Sequence, residues 1–146
     1  MGTDVQKSAV IYCSILVFDD EQFFSDPYSL RSIHLTKKLK VSVKDQVQNY
    51  GYTIDQDTVK FWEEQSKEVR AKIKPRADDL TVKEFTEYFL DYLTPHGKID
   101  YWWSRANSFD PPILWRLFES QNKLNMIHEY LPHWKLRDTR TWIDAK

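Results

Sequence analysis

Between Ser8 and Phe18 the chain reads SAVIYCSILVF, almost wholly apolar and rich in β-branched and aromatic residues. An apolar run with no polar alternation predicts a strand buried on both faces, inside a sheet. Asp19-Asp20-Glu21 supplies a polar turn, Phe23 and Phe24 begin a second strand, and Tyr28, Leu30, Ile33 and Leu35 follow Pro27 in a looser apolar pattern. Residues 8–35 therefore read as a hairpin or meander.

The stretch containing Lys37, Lys38, Lys40 and Lys44, ending at Asn49-Tyr50-Gly51, is basic and weakly patterned. It could touch phosphates, but a charge run of this size is usually a solvated face. Asp55-Gln56-Asp57-Thr58 opens a helix, because carboxylates accept its free amide hydrogens and suit the positive end of its dipole; Val59, Trp62 and Val69 supply its inner side. After Lys74-Pro75-Arg76, Thr81 and Glu84 have capping-box spacing, and Val82, Phe85, Phe89 and Leu93 recur at helical intervals. Thr94-Pro95-His96-Gly97 ends that helix, and Ile99-Asp100-Tyr101-Trp102-Trp103 has strand composition. Asp110 caps a further helix with Pro111 at its first position and Ile113, Leu114, Leu117 and Phe118 on its apolar face. Beyond Asn122 the pattern weakens until Trp134–Trp142, where residues 135–140 read as a short strand end. The order β-β(-β)-α-α-β-α-β predicts a layered α/β or α+β fold, and no repeat, low-complexity tract or linker interrupts it.

Composition narrows the class. A chain of 146 residues, 41% hydrophobic and 15% aromatic, suits one globular domain with a heavy core and excludes a second full domain. The net charge of −1 means that any anion site must come from a local patch. The lone Cys13 cannot form an internal disulfide, which fits a reducing compartment, and its position in the most apolar strand makes a thiolate nucleophile costly. No apolar run approaches the roughly 20 residues that span a bilayer, and Met1-Gly2-Thr3-Asp4 lacks a basic, signal-like start. The expectation is an intracellular, cytoplasmic protein without a membrane partner.

Several chemistries find no support. His34, His96, His128 and His133 share no zinc-ligand spacing, and there is no P-loop, GxGxxG or GxSxG. The informative segment runs from Trp102 to Leu114, where a strand delivers a polar loop to a helix N-terminus, the usual ligand-binding place in an α/β sheet. Asp110 serves there either as a simple N-cap or as a ligand for Mg²⁺ or Mn²⁺. Asn107, Ser108 and Arg105 offer hydrogen bonds to sugar or phosphate. Trp62 and Trp115 read as packing residues.

WSRANSFDPPIL (residues 103–114) resembles the second motif of the DnaQ-like (DEDDh) 3′-5′ exonuclease superfamily, closest to its phage exonuclease A branch. TIDQDTVKFWEEQSKEVRAKI (residues 53–73) resembles that branch's Thr-x-x-x-Trp helix followed by Gln-Ser, and RDTRTWIDA (residues 137–145) its Arg-Asp-x-Arg-Thr segment. The resemblance implies an RNase H-like mixed sheet flanked by helices. It also implies two-metal hydrolysis, with Mg²⁺ or Mn²⁺, of the 3′-terminal phosphodiester of DNA or RNA, using four carboxylates and a His base.

Carried over by residue, Asp110 matches the motif-two metal ligand, framed by Asn107, Ser108 and Phe109, and Met1-Gly2-Thr3 reads like the tail of a family DFETMG element. The nucleic-acid contacts implied are Met1, Gly2, Trp103, Arg105, Asn107, Ser108, Phe109 and Arg140. The first Asp-x-Glu motif would precede Met1 and the last His/Asp motif would follow Lys146; His128 and His133 do not substitute for it. The expectation is a single truncated exonuclease-like domain over residues 1–146, missing the first, central strand and the C-terminal helix. With one metal carboxylate of four, it would bind metal weakly and be inactive or very weak alone. A complementing segment, or self-association through the open sheet, would fill the gap; if phage-encoded, the protein would act in the host cytoplasm. Two alternatives stand beside this: a catalytically dead nucleic-acid module using Trp103, Arg105, Asn107 and Arg140, and an interaction protein whose sheet accepts a partner's strand.

Overall fold

In the computed structural model the described residues are 7–18, 36–97, 99–104, 108 and 110–138. The expectations for Phe23, Phe24, Tyr28, Leu30, Ile33 and Leu35, and for Met1, Gly2, Arg105, Asn107, Phe109 and Arg140, lie outside them.

Among the described residues four short strands and six α-helices make a mixed α/β architecture. Strand β1 (Tyr12–Ile15) pairs antiparallel with β2 (Lys37–Lys40), placing Cys13 opposite Leu39. The apolar run 8–18 was expected to be buried on both faces; instead Tyr12 and Ser14 are exposed while Cys13 and Ile15 pack on the core. Its apolar composition hid a one-sided strand. The basic stretch, expected as a solvated face, contributes β2, in which Lys37 and Lys38 are exposed, Leu39 is buried and Lys40 is half-buried. Lys40 Nζ bonds the Asp79 carboxylate at 2.7 Å and also donates to the Lys74 carbonyl, so this lysine holds the fold together.

Helix α1 (Val43–Tyr50) begins at Ser42, whose hydroxyl accepts from Asp45 N, and ends at Gly51, whose φ of 69° suits a residue without Cβ. The helix expected from Asp55 is two helices, α2 (Gln56–Glu63) and α3 (Lys67–Ile73), because Ser66 caps a second start. Neither buries a residue fully, and Val59, Trp62 and Val69 are only half-buried.

Helix α4 (Val82–Leu93) organises the core. Thr81 and Glu84 form the expected reciprocal capping box, and Asp45 of α1 accepts the Val82 amide at 2.9 Å. Its buried face carries Val82, Phe85, Thr86, Phe89, Leu90 and Leu93. Phe89 meets Phe118 of α5 (Asp110–Ser120) edge-on at 5.4 Å between centroids. Helix α6 (Leu124–Tyr130) buries Ile127 and follows Asn122, which turns the chain at φ 57°. Sequence periodicity missed α6 because Lys123, Asn125, His128 and Glu129 dilute its narrow apolar edge.

Strand β3 (Trp102–Ser104) pairs parallel with β4 (Leu136–Asp138), bearing out a strand within residues 135–140. Among the described residues the strands thus form two separate two-stranded ladders. The N-terminal segment is tied to the rest by a parallel bridge between Ser8 and Thr53, and by Arg116 of α5, which donates to the Ser8 carbonyl and lies 4.1 Å over the Tyr52 ring.

Candidate functional site

Parallel pairing of Ser104 with Asp138 ends both strands side by side, at the C-terminal edge where α/β sheets present ligand-binding groups. From Ser104 the chain passes to α5, whose first helical residue is Asp110. The expected cap with Pro111 at the first position is displaced by one residue: Asp110 is already helical and Pro111 is second. Pro111 is fully buried and anchors the helix start, whereas Asp110 is exposed beside it.

Among the described residues, no hydrogen bond or ion pair engages the Asp110 carboxylate. Its charge nevertheless reaches β1. The Cys13 thiol is pushed up from 9.0 to about 12, first by burial and then by the negative charge of Asp110. The arrangement brings β1 and the start of α5 together although their sequence positions are far apart. A thiol held protonated in this way is no nucleophile, as its apolar setting predicts.

Ser108 is exposed just before Asp110, and Trp103 is exposed on β3. Trp102, by contrast, is structural: its Nε1 donates to the Pro132 carbonyl at 2.7 Å and its ring meets Trp115 edge-on at 6.2 Å. Trp115 packs against the core as expected, and next to His128 at 5.6 Å; Trp62 lies outside that cluster. His128 and His133 meet edge-on at 6.4 Å between centroids within this aromatic row. Among the described residues no three His, Cys, Asp or Glu side chains converge as a metal site. The donor set described here therefore does not fit a two-metal centre, which needs several convergent carboxylates.

Tyr101 and Arg137 read as strand residues, and Arg137 as part of the Arg-Asp-x-Arg-Thr segment, without a site role for either. The Arg137 guanidinium lies 4.7 Å over the Tyr101 ring, and strand register sets Arg137 opposite Trp103. The signal was period-two alternation across Tyr101, Trp102 and Trp103, which becomes readable only once the partner strand is known.

A family model described as the 3′-5′ exoribonuclease Rv2179c-like domain matches residues 1–146. The chain belongs to this exonuclease family. A curated relative of the exonuclease domain, named exodeoxyribonuclease, from Enterobacteria phage T4, is 30% identical over 153 residues. That match covers 96% of the domain and 66% of the relative, so the domain spans just under two thirds of that protein's length. No solved structure matches the domain. The DnaQ-like 3′-5′ exonuclease relationship inferred from WSRANSFDPPIL is thereby upheld. No described helix is long and apolar enough to cross a membrane.

Proposed function

We propose that this domain contributes to hydrolysis at the 3′ end of a nucleic acid, with Asp110 as one carboxylate of a divalent-metal centre. The observation that carries the reading is an exposed carboxylate at the first position of α5, engaged by no described side chain, at the C-terminal edge of β3. An ordinary cap would turn its oxygens onto its own helix amides. The match of the whole chain to an exonuclease family supports the same reading.

Among the described residues no further metal ligands converge with Asp110; with the partner carboxylates supplied from elsewhere, the chain alone would be inactive or very weak. In this proposal β1 and β3 flank the slot of a central strand from elsewhere in the intact enzyme. The two separate ladders and the 66% coverage of the phage relative support that arrangement. Ser108 and Trp103, with Arg105, Asn107, Phe109 and Arg140 from outside the described residues, contact the nucleic acid; so do Met1 and Gly2.

The test is release of nucleotides from 3′-labelled single strands, DNA and RNA in parallel, with Mn²⁺ or Mg²⁺. It uses this chain and a chain extended to the length of the phage relative. No turnover by the first and 3′-directed turnover by the second are expected. Turnover by the short chain overturns its predicted inactivity, and an inert long chain overturns the nuclease assignment. The alternative of a catalytically dead binding module draws on the same unsupplied ligands, and would show as an extended chain that binds strands and never cleaves them.

A further inference from the structure

Four side chains outside the Asp110 site are exposed on or beside the β3–β4 ladder. Tyr101 is 53% exposed, Trp103 36% and Trp134 66%, unusually open for such large rings. Tyr101 immediately precedes β3, two residues before Trp103, and both are exposed while Trp102 between them is half-buried, as alternation along extended backbone requires. Arg137, opposite Trp103, lays its guanidinium on Tyr101, which fixes that side as shared between the strands. Its Nη1 donates to the main-chain carbonyls of Trp134 at 3.1 Å and Leu136 at 3.0 Å, which ties the backbone of Trp134, just before β4, to the same strand end.

Arg137 is the decisive member. Carbonyls and a tyrosine ring hold its plane in place, and no carboxylate pairs with it among the described residues. A rigid, uncompensated positive charge among exposed rings matches a polyanion that also offers flat apolar faces. Unpaired bases meet both requirements, because each has a π-face and follows a phosphate. A duplex meets only one, since its bases are stacked on each other.

We infer that Tyr101, Trp103, Trp134 and Arg137 form a stacking platform for the bases of a single strand, on the strand that leads towards Asp110. The polymer class rests on the nuclease reading above; the preference for unpaired bases rests on the platform's own chemistry.

The experiment is fluorescence anisotropy on this chain in EDTA, with labelled single strands of about 12 nucleotides. The same backbone carrying abasic sites, and a blunt duplex, serve as comparisons. The intact single strand is expected to bind at least about fivefold more tightly than either. Trp134→Ala lowers affinity by about fivefold or more and Trp134→Phe restores most of it, while Arg137→Ala weakens binding and flattens its salt dependence. Urea unfolding confirms that each variant is folded.

Equal affinity for intact and abasic strands overturns the proposal, as does unchanged binding by Trp134→Ala or no binding at low salt. So does light scattering that shows a dimer dispersed by Trp134→Ala, since a second copy would then be the occupant. The two readings fail differently: base-dependent binding with an inert extended chain removes the nuclease and keeps the platform. Cleavage by the extended chain alongside base-independent binding does the reverse.

Discussion

Gln46 of α1 grips the backbone of Val10 with both ends of its side-chain amide: Oε1 accepts the Val10 N–H at 2.8 Å and Nε2 donates to the Val10 carbonyl at 2.7 Å. The side chain is fully buried and stands where a neighbouring strand would otherwise supply the ladder bonds. Nε2 also reaches the Ser42 carbonyl, closing the start of α1. A polar side chain in the core thus aligns the segment that leads into β1.

Gln46→Leu keeps the volume but strips its partner from Val10 N and Val10 O, while Ser42 O keeps the backbone N–H of residue 46. With each of these two buried unsatisfied groups worth about 1–3 kcal/mol, a loss of about 2 kcal/mol or more is expected in urea unfolding. Gln46→Glu should be nearly as damaging at neutral pH, because a carboxylate cannot donate to the two carbonyls. A change below about 0.5 kcal/mol in either variant would remove Gln46 from this role.

The capping box of α4 gives a second measurable quantity. Thr81→Ala should cost about 1 kcal/mol. Since Thr81 and Glu84 each satisfy the other's backbone amide, adding Glu84→Ala should cost less than the sum of the single changes. Strict additivity in a double-mutant cycle would mean that the two bonds act separately.

Cys13 predicts an alkaline sensitivity with a defined sign. Its folded thiol titrates at about 12 against an ordinary 9.0, so the unfolded chain loses the proton first. Stability from the protonated thiol is complete below about pH 9 and falls as pH rises towards 12. Cys13→Ala should flatten that slope in urea unfolding, and Asp110→Asn should lower the thiol's pKa by removing the nearby charge. Because Cys13 is the single cysteine, iodoacetamide labelling of the folded protein reports it directly. Asp110→Asn should therefore react faster at a given alkaline pH, and identical rates would show that the two groups do not communicate.

Asp110→Asn also separates function from stability. As an exposed side chain without a described partner, it should change stability by no more than about 0.5 kcal/mol. In the extended, metal-supplied chain the same change should cut 3′ release on the order of 100-fold or more, as loss of a ligand outweighs loss of an outer-shell group. EDTA should abolish release by the unsubstituted chain. Full activity in the Asn variant would make Asp110 a spectator.

Elements whose cause is local were legible. The Thr81/Glu84 box, the Val82–Phe85–Phe89–Leu93 stripe and the helix after Phe109 come from capping groups and 3.6-residue spacing, each contained in one stretch of chain. WSRANSFDPPIL was legible for another reason: together with residues 53–73 and 137–145 it resembles the exonuclease family whose model matches the chain. The strand at Lys37–Lys40 was not, because a lysine-rich strand needs only one inward residue, Leu39, and one ion pair from Lys40 to Asp79, 39 residues away. Tyr101 and Arg137 escaped for a similar reason, since their stacking exists only through the β3–β4 register.

The amino-acid order by itself determined which segments could be helical, the exonuclease kinship, and the placement of Asp110 at a helix start. Tertiary structure alone decided that Asp110 acts electrostatically on Cys13, that Gln46 replaces a strand at Val10, and that Arg137 is held among exposed rings. Periodicity and capping are properties of neighbours along the chain, whereas a charge, an amide and a guanidinium find distant partners only when packing brings their segments within a few ångströms.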